Sequence, residues 1–406
     1  MDSPAAPDGH RVDGSTPVII AARRTPIATK GGRLSNTPVD VLAAAVLRAV
    51  VTDVETVFAE TRADDGADDG PATIDVADVV LGNCMGPGGN TARVASLAAG
   101  LGIRVPGITI DRQCGSGLAA VTVAADALVA AAARGDDRVR IAGGAESAST
   151  APARITGGAS YARAAFAPTG FPDPEMEPAA EALATSHGIA RDRQDAYAAR
   201  SHDLAVSAVE RGAFDAELVT IDGFDADDGP RRSISTMLHR FPPLHGGTVT
   251  AGNSCRISDG AAAVAIVPER ARGGAPGLAI LQTATIGCDP ATPGIGPVDA
   301  VRSVLAAGGV GLDDIAAFEI VEAFAAQTLA VLDELGLASA EHVDDRVCAD
   351  GGALALGHPW GASGAVGLVR LFSRLVRAGA PAGTLGIATV AVGGGMGIAA
   401  LVEVVR

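Results

Sequence analysis

The chain has 406 residues, enough for two or three domains. It carries 31 Lys and Arg against 47 Asp and Glu, a formal charge of −16, which argues against nucleic acid or an anionic membrane as a main partner. A hydrophobic share of 48% supports a large core, and aromatics at 3% leave little to stack bases or sugars on. The five cysteines (Cys84, Cys114, Cys255, Cys288, Cys348) are scattered and none has CxxC spacing. A zinc ribbon is excluded and a disulfide framework is not expected. The first residues, MDSPAAPDGHRVDGST, contain no apolar signal core. A reducing cytoplasm and no bound metal are the expectation.

Residues 1–15 read as a disordered tail. Thr16 to Ile27 reads as a strand entering a basic, proline-marked loop, and Pro38 to Val51 has helical spacing. Glu60 to Ala72, acidic and punctuated by glycine, reads as a solvated loop insertion. IDVADVVLGNCMGPGGN is a strand and a glycine-rich loop. VPGITIDRQCGSGLAAVTVAADALVAAA gives a strand, a sharp turn and a long helix, and RVRIAGGAES a further strand. From about Glu146 to Cys255 the strand–helix alternation loosens, with Asp192 to Phe214 helical inside the excursion. After Gly277 alternation returns and echoes the first half in order. Ala316 to Ala326, expected as strand, answers VADVVLGNCMG. Gly357 to Gly379 answers the turn and helix after Cys114, and GIATVAVGGGMG answers VRIAGGAES. Thr384 to Val402 is uncharged and near the length of a membrane span, but Gly393, Gly394 and Gly395 sit at its centre. Two buried strands joined at a glycine turn fit it better. Two similar α/β halves are expected: 16–145 with 256–274, and 277–406, with 146–255 as a loop domain between them.

Cys114 follows the strand GITID and opens a helix. Free N–H groups and a positive dipole end lower a thiol's pKa there, and Gly115 and Gly117 would let a substrate approach the backbone. Those conditions suit a thiolate nucleophile; a buried packing cysteine is the alternative. His358, in GGALALGHPWGASG, could be a general base for it or a satisfied structural histidine. The two together, on opposite halves, favour a Cys–His pair.

RTPI near the start, DRQCGSG around Cys114, TAGNSCRISDGAAAV at 250–264, VEAFAAQ at 321–327, GGALALGHPWGASG at 351–364 and GGGMG at 393–397 together resemble the thiolase family, over about Thr16 to Arg406. The resemblance implies a thiolase fold: two duplicated βαβαβαββ halves in a five-layered α-β-α-β-α sandwich, with a loop domain from the first half. It implies an acyl-CoA C-acyltransferase, with coenzyme A esters as substrates, no permanently bound cofactor, and a homodimer or homotetramer. By position, Cys114 would be acylated and His358 would activate it and help hold the thioester oxygen. Gly395 would lend a backbone N–H to an oxyanion hole. Met176, Ala251, Ser254 and Phe324 would line the pantetheine arm. Arg231, Arg232, His239 and Arg240 would be candidates for the nucleotide phosphates.

Three departures stand out. Val321 replaces the family's usual Asn, so an oxyanion donor is lost. Ala391 replaces a second Cys that shuttles the α-carbon proton. Cys255 replaces a serine that contacts pantetheine. Cys348, where the family commonly has Asn, is expected to pack at the end of a buried strand, with replacement of the lost thiol as the alternative; Glu322 and water are the other groups to consider for that role. Three functions follow: a thiolase-type C-acyltransferase, an acyltransferase that uses acyl-Cys114 without α-deprotonation or with a decarboxylating extender, and a non-catalytic thiolase-fold subunit.

Overall fold

A computed structural model describes residues 12–64, 74–161 and 163–406. Strand β1 (Pro17–Arg24) and the short β2 (Ala28–Thr29) lead into helix α1 (Val39–Asp64). Then come β3 (Val76–Gly82), α2 (Thr91–Ala98), β4 (Gly107–Ile110), α3 (Ser116–Ala132) and β5 (Val139–Ser147). The chain next leaves the sheet for the hairpin β6 (Arg154–Thr156) and β7 (Ala159–Tyr161). Helices α4 (Met176–Ser186), α5 (Arg191–Glu210) and α6 (Ser235–Leu238) follow, and the chain returns as β8 (Ser258–Pro268). A second passage runs β9 (Gly277–Gly287), α7 (Pro297–Gly308), β10 (Ile315–Ile320), α8 (Ala325–Leu335), α9 (Ala353–Leu356), α10 (Trp360–Leu371), β11 (Leu385–Val392) and β12 (Met396–Val405).

The two passages repeat one topology. In the first, β4, β3 and β5 lie parallel, and β8 and β1 follow antiparallel. In the second, β10 and β11 lie parallel, and β12 and β9 follow antiparallel. A parallel bridge from Val347 to Phe318 takes the place of β4. Strands β1 and β9 join the two sheets at Val18–Ala279 and Ile19–Leu278. Helices α1 and α2 cover one outer face, α7 and α8 the other, and α3 and α10 fill the middle layer. The sandwich is therefore five layers, α-β-α-β-α, as the motif order implied.

The middle layer explains the composition. Helix α3 reads SGLAAVTVAADALVAAA; Ser116 to Val121 are all buried, as a helix start enclosed on every side must be, while Val123 and Val129 further along are exposed. A Cβ on Gly117 would lie 2.9 Å from the Gly361 carbonyl oxygen, and one on Gly364 would lie 2.7 Å from Leu118. Glycine thus lets α3 and α10 touch at their first turns.

Some expectations change. Helix α1 runs through Glu60 to Asp64, where the sequence suggests the acidic loop; residues 65–72 of that segment lie outside the described residues. Residues 1–11 of the expected tail do too. Residues 13–16 form a closed turn in which the Thr16 N–H donates to the Asp13 carbonyl at 3.0 Å. The strand expected over Ala316 to Ala326 ends at Ile320. Val321 to Phe324 is a loop, and Ala325 already begins α8, so the strand's alternation does not extend to Glu322. The uncharged stretch near the C-terminus is two paired strands, with Val392 opposite Met396 across the glycine turn.

Candidate active site

Strand β4 runs out at Ile110 and the chain turns sharply. Gln113 takes φ +46°, a left-handed conformation uncommon for a residue with a side chain. The turn is held by short bonds. The Gln113 N–H donates to Asp111 Oδ1 at 2.9 Å, and the Gly115 N–H to the Arg112 carbonyl at 2.9 Å. Ser116 Oγ donates to the Gln113 carbonyl at 2.6 Å and accepts the Arg112 N–H at 2.8 Å. Cys114 is left at the apex, half-buried, just ahead of α3.

The neighbouring glycines serve packing, not substrate approach. A Cβ on Gly115 would lie 2.7 Å from Val392 and 3.3 Å from Ile398, at the strands flanking the Gly393–Gly395 turn. Gly117 meets α10. The helix terminus also does not yield a ready thiolate. Burial, then the charges of Glu146 and Asp111, push the Cys114 thiol up to about 12. The free site holds a neutral thiol that needs a base.

His358 follows Gly357, whose φ of +114° suits only glycine. The His358 N–H donates to the Arg256 carbonyl at 2.9 Å and to Ser258 Oγ at 3.2 Å. Its Nδ1 lies 2.6 Å from Ser363 Oγ, and Ser363 Oγ lies 3.0 Å from the Pro359 carbonyl, which can only accept. Ser363 therefore donates to Pro359 and accepts from Nδ1–H. Nε2 is left with the lone pair, buried and without a hydrogen-bond partner among the described residues. Burial pushes the imidazole pKa down to about 4, so it stays neutral near pH 7. Cys114 and His358 each stand three residues before the glycines, Gly117 and Gly361, at which α3 and α10 touch. That contact brings the Cys114 turn of one half against the His358 loop of the other.

A second strip of backbone runs beside them. Ser254 bridges Phe324, the Cys255 N–H donates to the Ala323 carbonyl at 2.9 Å, and the Ala325 N–H to the Asn253 carbonyl at 2.9 Å. Ser254 Oγ donates to the Thr250 carbonyl at 2.6 Å, and Ala251 is exposed beside it. Met176 opens α4, which packs on α8 directly after Phe324. Gly395 lies at φ +83° with its carbonyl accepting the Cys288 N–H at 2.8 Å. Arg231 is exposed; its backbone N–H donates to His202 Nδ1 at 3.2 Å. Arg232 is exposed and ion-paired with Glu210, and His239 and Arg240 are exposed at the end of α6.

Neither Glu322 nor Cys348, the side chains expected as alternative acids or bases, is free to act. Glu322 is fully buried. It accepts Tyr197 Oη–H at 2.8 Å, Ser201 Oγ–H at 2.7 Å and the Leu354 N–H at 3.2 Å, tying α5 to α9. Cys348 is fully buried and its thiol donates to the Ile320 carbonyl at 3.4 Å. It sits at φ +43°, a left-handed conformation uncommon for a residue with a side chain. Ala391 is half-buried and pairs with Gly397; Val321 is buried and its N–H donates to the Thr389 carbonyl at 3.1 Å.

Sequence reasoning missed Ser363, Glu146 and Arg256. Arg256 donates to the Ala355 carbonyl at 2.6 Å and to Thr29 Oγ1 at 3.2 Å, pinning the base loop to the β2 segment. An arginine inside an otherwise small-residue motif was a visible signal. Ser363 and Glu146 gave none without the fold.

Comparison with known proteins agrees with this arrangement. Residues 17–270 match the model of the thiolase N-terminal domain, and residues 275–404 that of the thiolase C-terminal domain. The chain belongs to the thiolase family. The VraB protein of Staphylococcus haemolyticus is 40% identical over 405 residues, covering 95% of this chain and 98% of that protein. The acetyl-CoA acetyltransferase of Pseudomonas aeruginosa is 38% identical over 411 residues, covering 94% and 98%. A crystal structure of the Bacillus anthracis acetyl-CoA acetyltransferase superposes with TM-score 0.80 at 33% identity, covering 96% of this chain and 99% of that one. This thiolase is an acyltransferase of the family's type.

Proposed function

We propose that acyl transfer runs through a thioester on Cys114, with an acyl-CoA such as acetyl-CoA as donor. The observation that carries this is the buried, unpartnered Nε2 of His358, with its lone pair fixed by Ser363, across the α3–α10 contact from Cys114. His358 takes the thiol proton as Sγ attacks the thioester carbon. The carbon–sulfur bond to coenzyme A breaks, and the leaving thiolate takes that proton back. Gly395 is our backbone N–H donor for the developing oxyanion. Ala251, Ser254, Phe324 and Met176 would guide the pantetheine arm; Arg231 is the better placed of the two arginines for phosphate, since Arg232 is engaged by Glu210.

Claisen chemistry needs a further step, removal or return of an α-carbon proton. Ala391 offers no acid or base, and Val321 no oxyanion donor. These two positions favour a second reading: acyl-Cys114 passes to an acceptor that needs no α-deprotonation. In either case acylation should outrun acetoacetyl-CoA thiolysis.

Intact-mass measurement after incubation with acetyl-CoA tests the thioester. One acetyl adduct on wild type, absent from Cys114→Ser, is expected. Equal labelling of Cys114→Ser would refute the nucleophile assignment.

The five unpaired cysteines support a reducing, cytoplasmic setting. For assembly we propose a homodimer through the β4 edge. That strand has a single neighbour, and Val94, Leu97, Ile103 and Ile108 are exposed around it, Ile103 to 83%. Ile103→Asp with Ile108→Asp should give a monomer in sedimentation velocity; an unchanged mass would move the interface elsewhere.

A further inference from the structure

Glu146 lies near the end of β5, only 1% exposed, and takes no part in the proton transfer described above. Its Oε1 accepts Asn83 Nδ2–H at 3.0 Å and the Met85 N–H at 3.1 Å. Its Oε2 accepts the Cys84 N–H at 3.1 Å and the Gly361 N–H at 3.1 Å. Three of these donors belong to the loop after β3; the fourth is in the first turn of α10. Burial pushes the Glu146 pKa up, and the backbone donors oppose that. Four N–H partners leave no acceptor for a carboxyl proton, so the hydrogen bonding is that of an anion.

Both ends of this clamp reach the reacting pair. The Cys84 thiol donates to the Gln113 carbonyl at 3.0 Å, so the loop held by Glu146 buttresses the turn that carries Cys114. Gly361 stands three residues after His358 in the same loop and helix start. One buried carboxylate thus ties backbone on the nucleophile side to backbone on the base side.

We propose that Glu146 is a positioning residue for acyl transfer, holding the Cys114 turn and the His358 loop in the register that proton transfer requires; this rests on the Cys114–His358 reading. Its charge has a second effect. The charged groups facing Cys114 are Glu146 and Asp111, with the thiols of Cys84 and Cys255 close to it. A fixed anion disfavours a resting thiolate and leaves ionisation to the moment of attack.

The test uses Glu146→Gln and Glu146→Asp, with folding checked by circular dichroism. Two rates are followed at Cys114 by peptide mapping: alkylation by iodoacetamide across pH, and acylation by acetyl-CoA. Gln keeps the shape, loses the charge and must turn its NH2 towards two of the four donors. Its Cys114 should titrate lower by roughly one pH unit, so alkylation below that pKa rises up to ~10-fold. Acylation should fall by roughly 10–100-fold as the pair loses register. Asp keeps the charge but is one methylene short: its alkylation profile should stay near wild type while acylation falls. Opposite movement of the two rates in Glu146→Gln supports the proposal. Wild-type values for both rates overturn it, and a parallel fall of both with an unshifted pH profile reduces Glu146 to fold support. If wild type takes no acetyl group, the acyl-enzyme reading fails, yet the alkylation profiles still decide whether Glu146 governs Cys114.

Discussion

The strand ends β5 and β11 occupy the same place in the two halves. Gly144 is the last residue of β5 paired with β3, and Thr389 is the last of β11 paired with β10. Two residues further on stand Glu146, opposite Gly260, and Ala391, opposite Gly397. Glu146 is a charged clamp with four donors around it; Ala391 is a methyl group beside the glycine turn. The central helices that start next to them differ as sharply. The α3 turn carries a neutral thiol on a left-handed bend, and the α10 loop carries a neutral imidazole whose tautomer a serine fixes. A duplicated scaffold supplies two equivalent helix starts, and the chemistry comes from filling them differently. On our proposal the first half supplies the nucleophile and the second the base, and Ala391 brings no acid or base for an α-carbon proton.

Removing the base should break this division most severely. His358→Ala should slow acylation of Cys114 by roughly 10²–10⁴-fold, the range for a lost general base, because a thiol near pKa 12 is rarely ionised by itself. Rapid-quench labelling measures it; a wild-type rate would make His358 structural.

The same histidine makes the fold sensitive to acid. His358 and His202 are both pushed down to about 4, chiefly by burial. Between about pH 6.5 and 4 the unfolded chain binds protons that the folded chain refuses, so stability is lost as pH falls through that window and levels off below it. The loss from His358 is on the order of 3 kcal/mol. Thermal melts across pH should show it, and His358→Asn should flatten the slope; identical slopes would mean that the imidazole is not held neutral.

The contact between halves can be disturbed without touching either reacting group. A Cβ on Gly144 would overlap the Gly361 carbonyl oxygen. Gly144→Ala should therefore destabilise by roughly 1–3 kcal/mol in urea unfolding and lower acylation as well, since the helix starts must part. Unaltered stability would show that α10 can shift freely. A smaller effect is expected from Ser363→Ala. Nδ1 loses its partner, the tautomer is no longer fixed, and acylation should fall by about 10-fold without a change in fold. Retention of the full rate would assign tautomer control elsewhere.

Most of the architecture was legible because hydrophobic periodicity, glycine turns and the order of echoes all reported the same duplication. The Cys114 turn and the His358 loop were legible for a related reason: a short polar or sulfur-bearing residue among glycines at a strand–helix junction is a local feature. What could not be read depends on contacts between distant segments. Glu146 ends an ordinary strand, and its four partners come from two other places in the chain. Ser363 looks like one more small residue at a helix start. The sequence offers Glu322 as a possible base and Ala316 to Ala326 as one strand; the strand stops at Ile320, and the loop turns the carboxylate into Tyr197 and Ser201. Gly115 and Gly117 suggested room for substrate, whereas the opposite half fills that room.

On our proposal this scaffold keeps the acylation half of the machinery and lacks the α-carbon half. Steady-state acetoacetyl-CoA thiolysis on wild type, Ala391→Cys, Val321→Asn and the double variant decides whether that is so. Wild type should take an acetyl group on Cys114 yet turn over poorly. Ala391→Cys should raise thiolysis, and the double variant should exceed both single ones, because the two groups serve one transition state. Wild-type turnover in the ordinary range of ~1–10³ per second, with no gain from Ala391→Cys, would contradict the account.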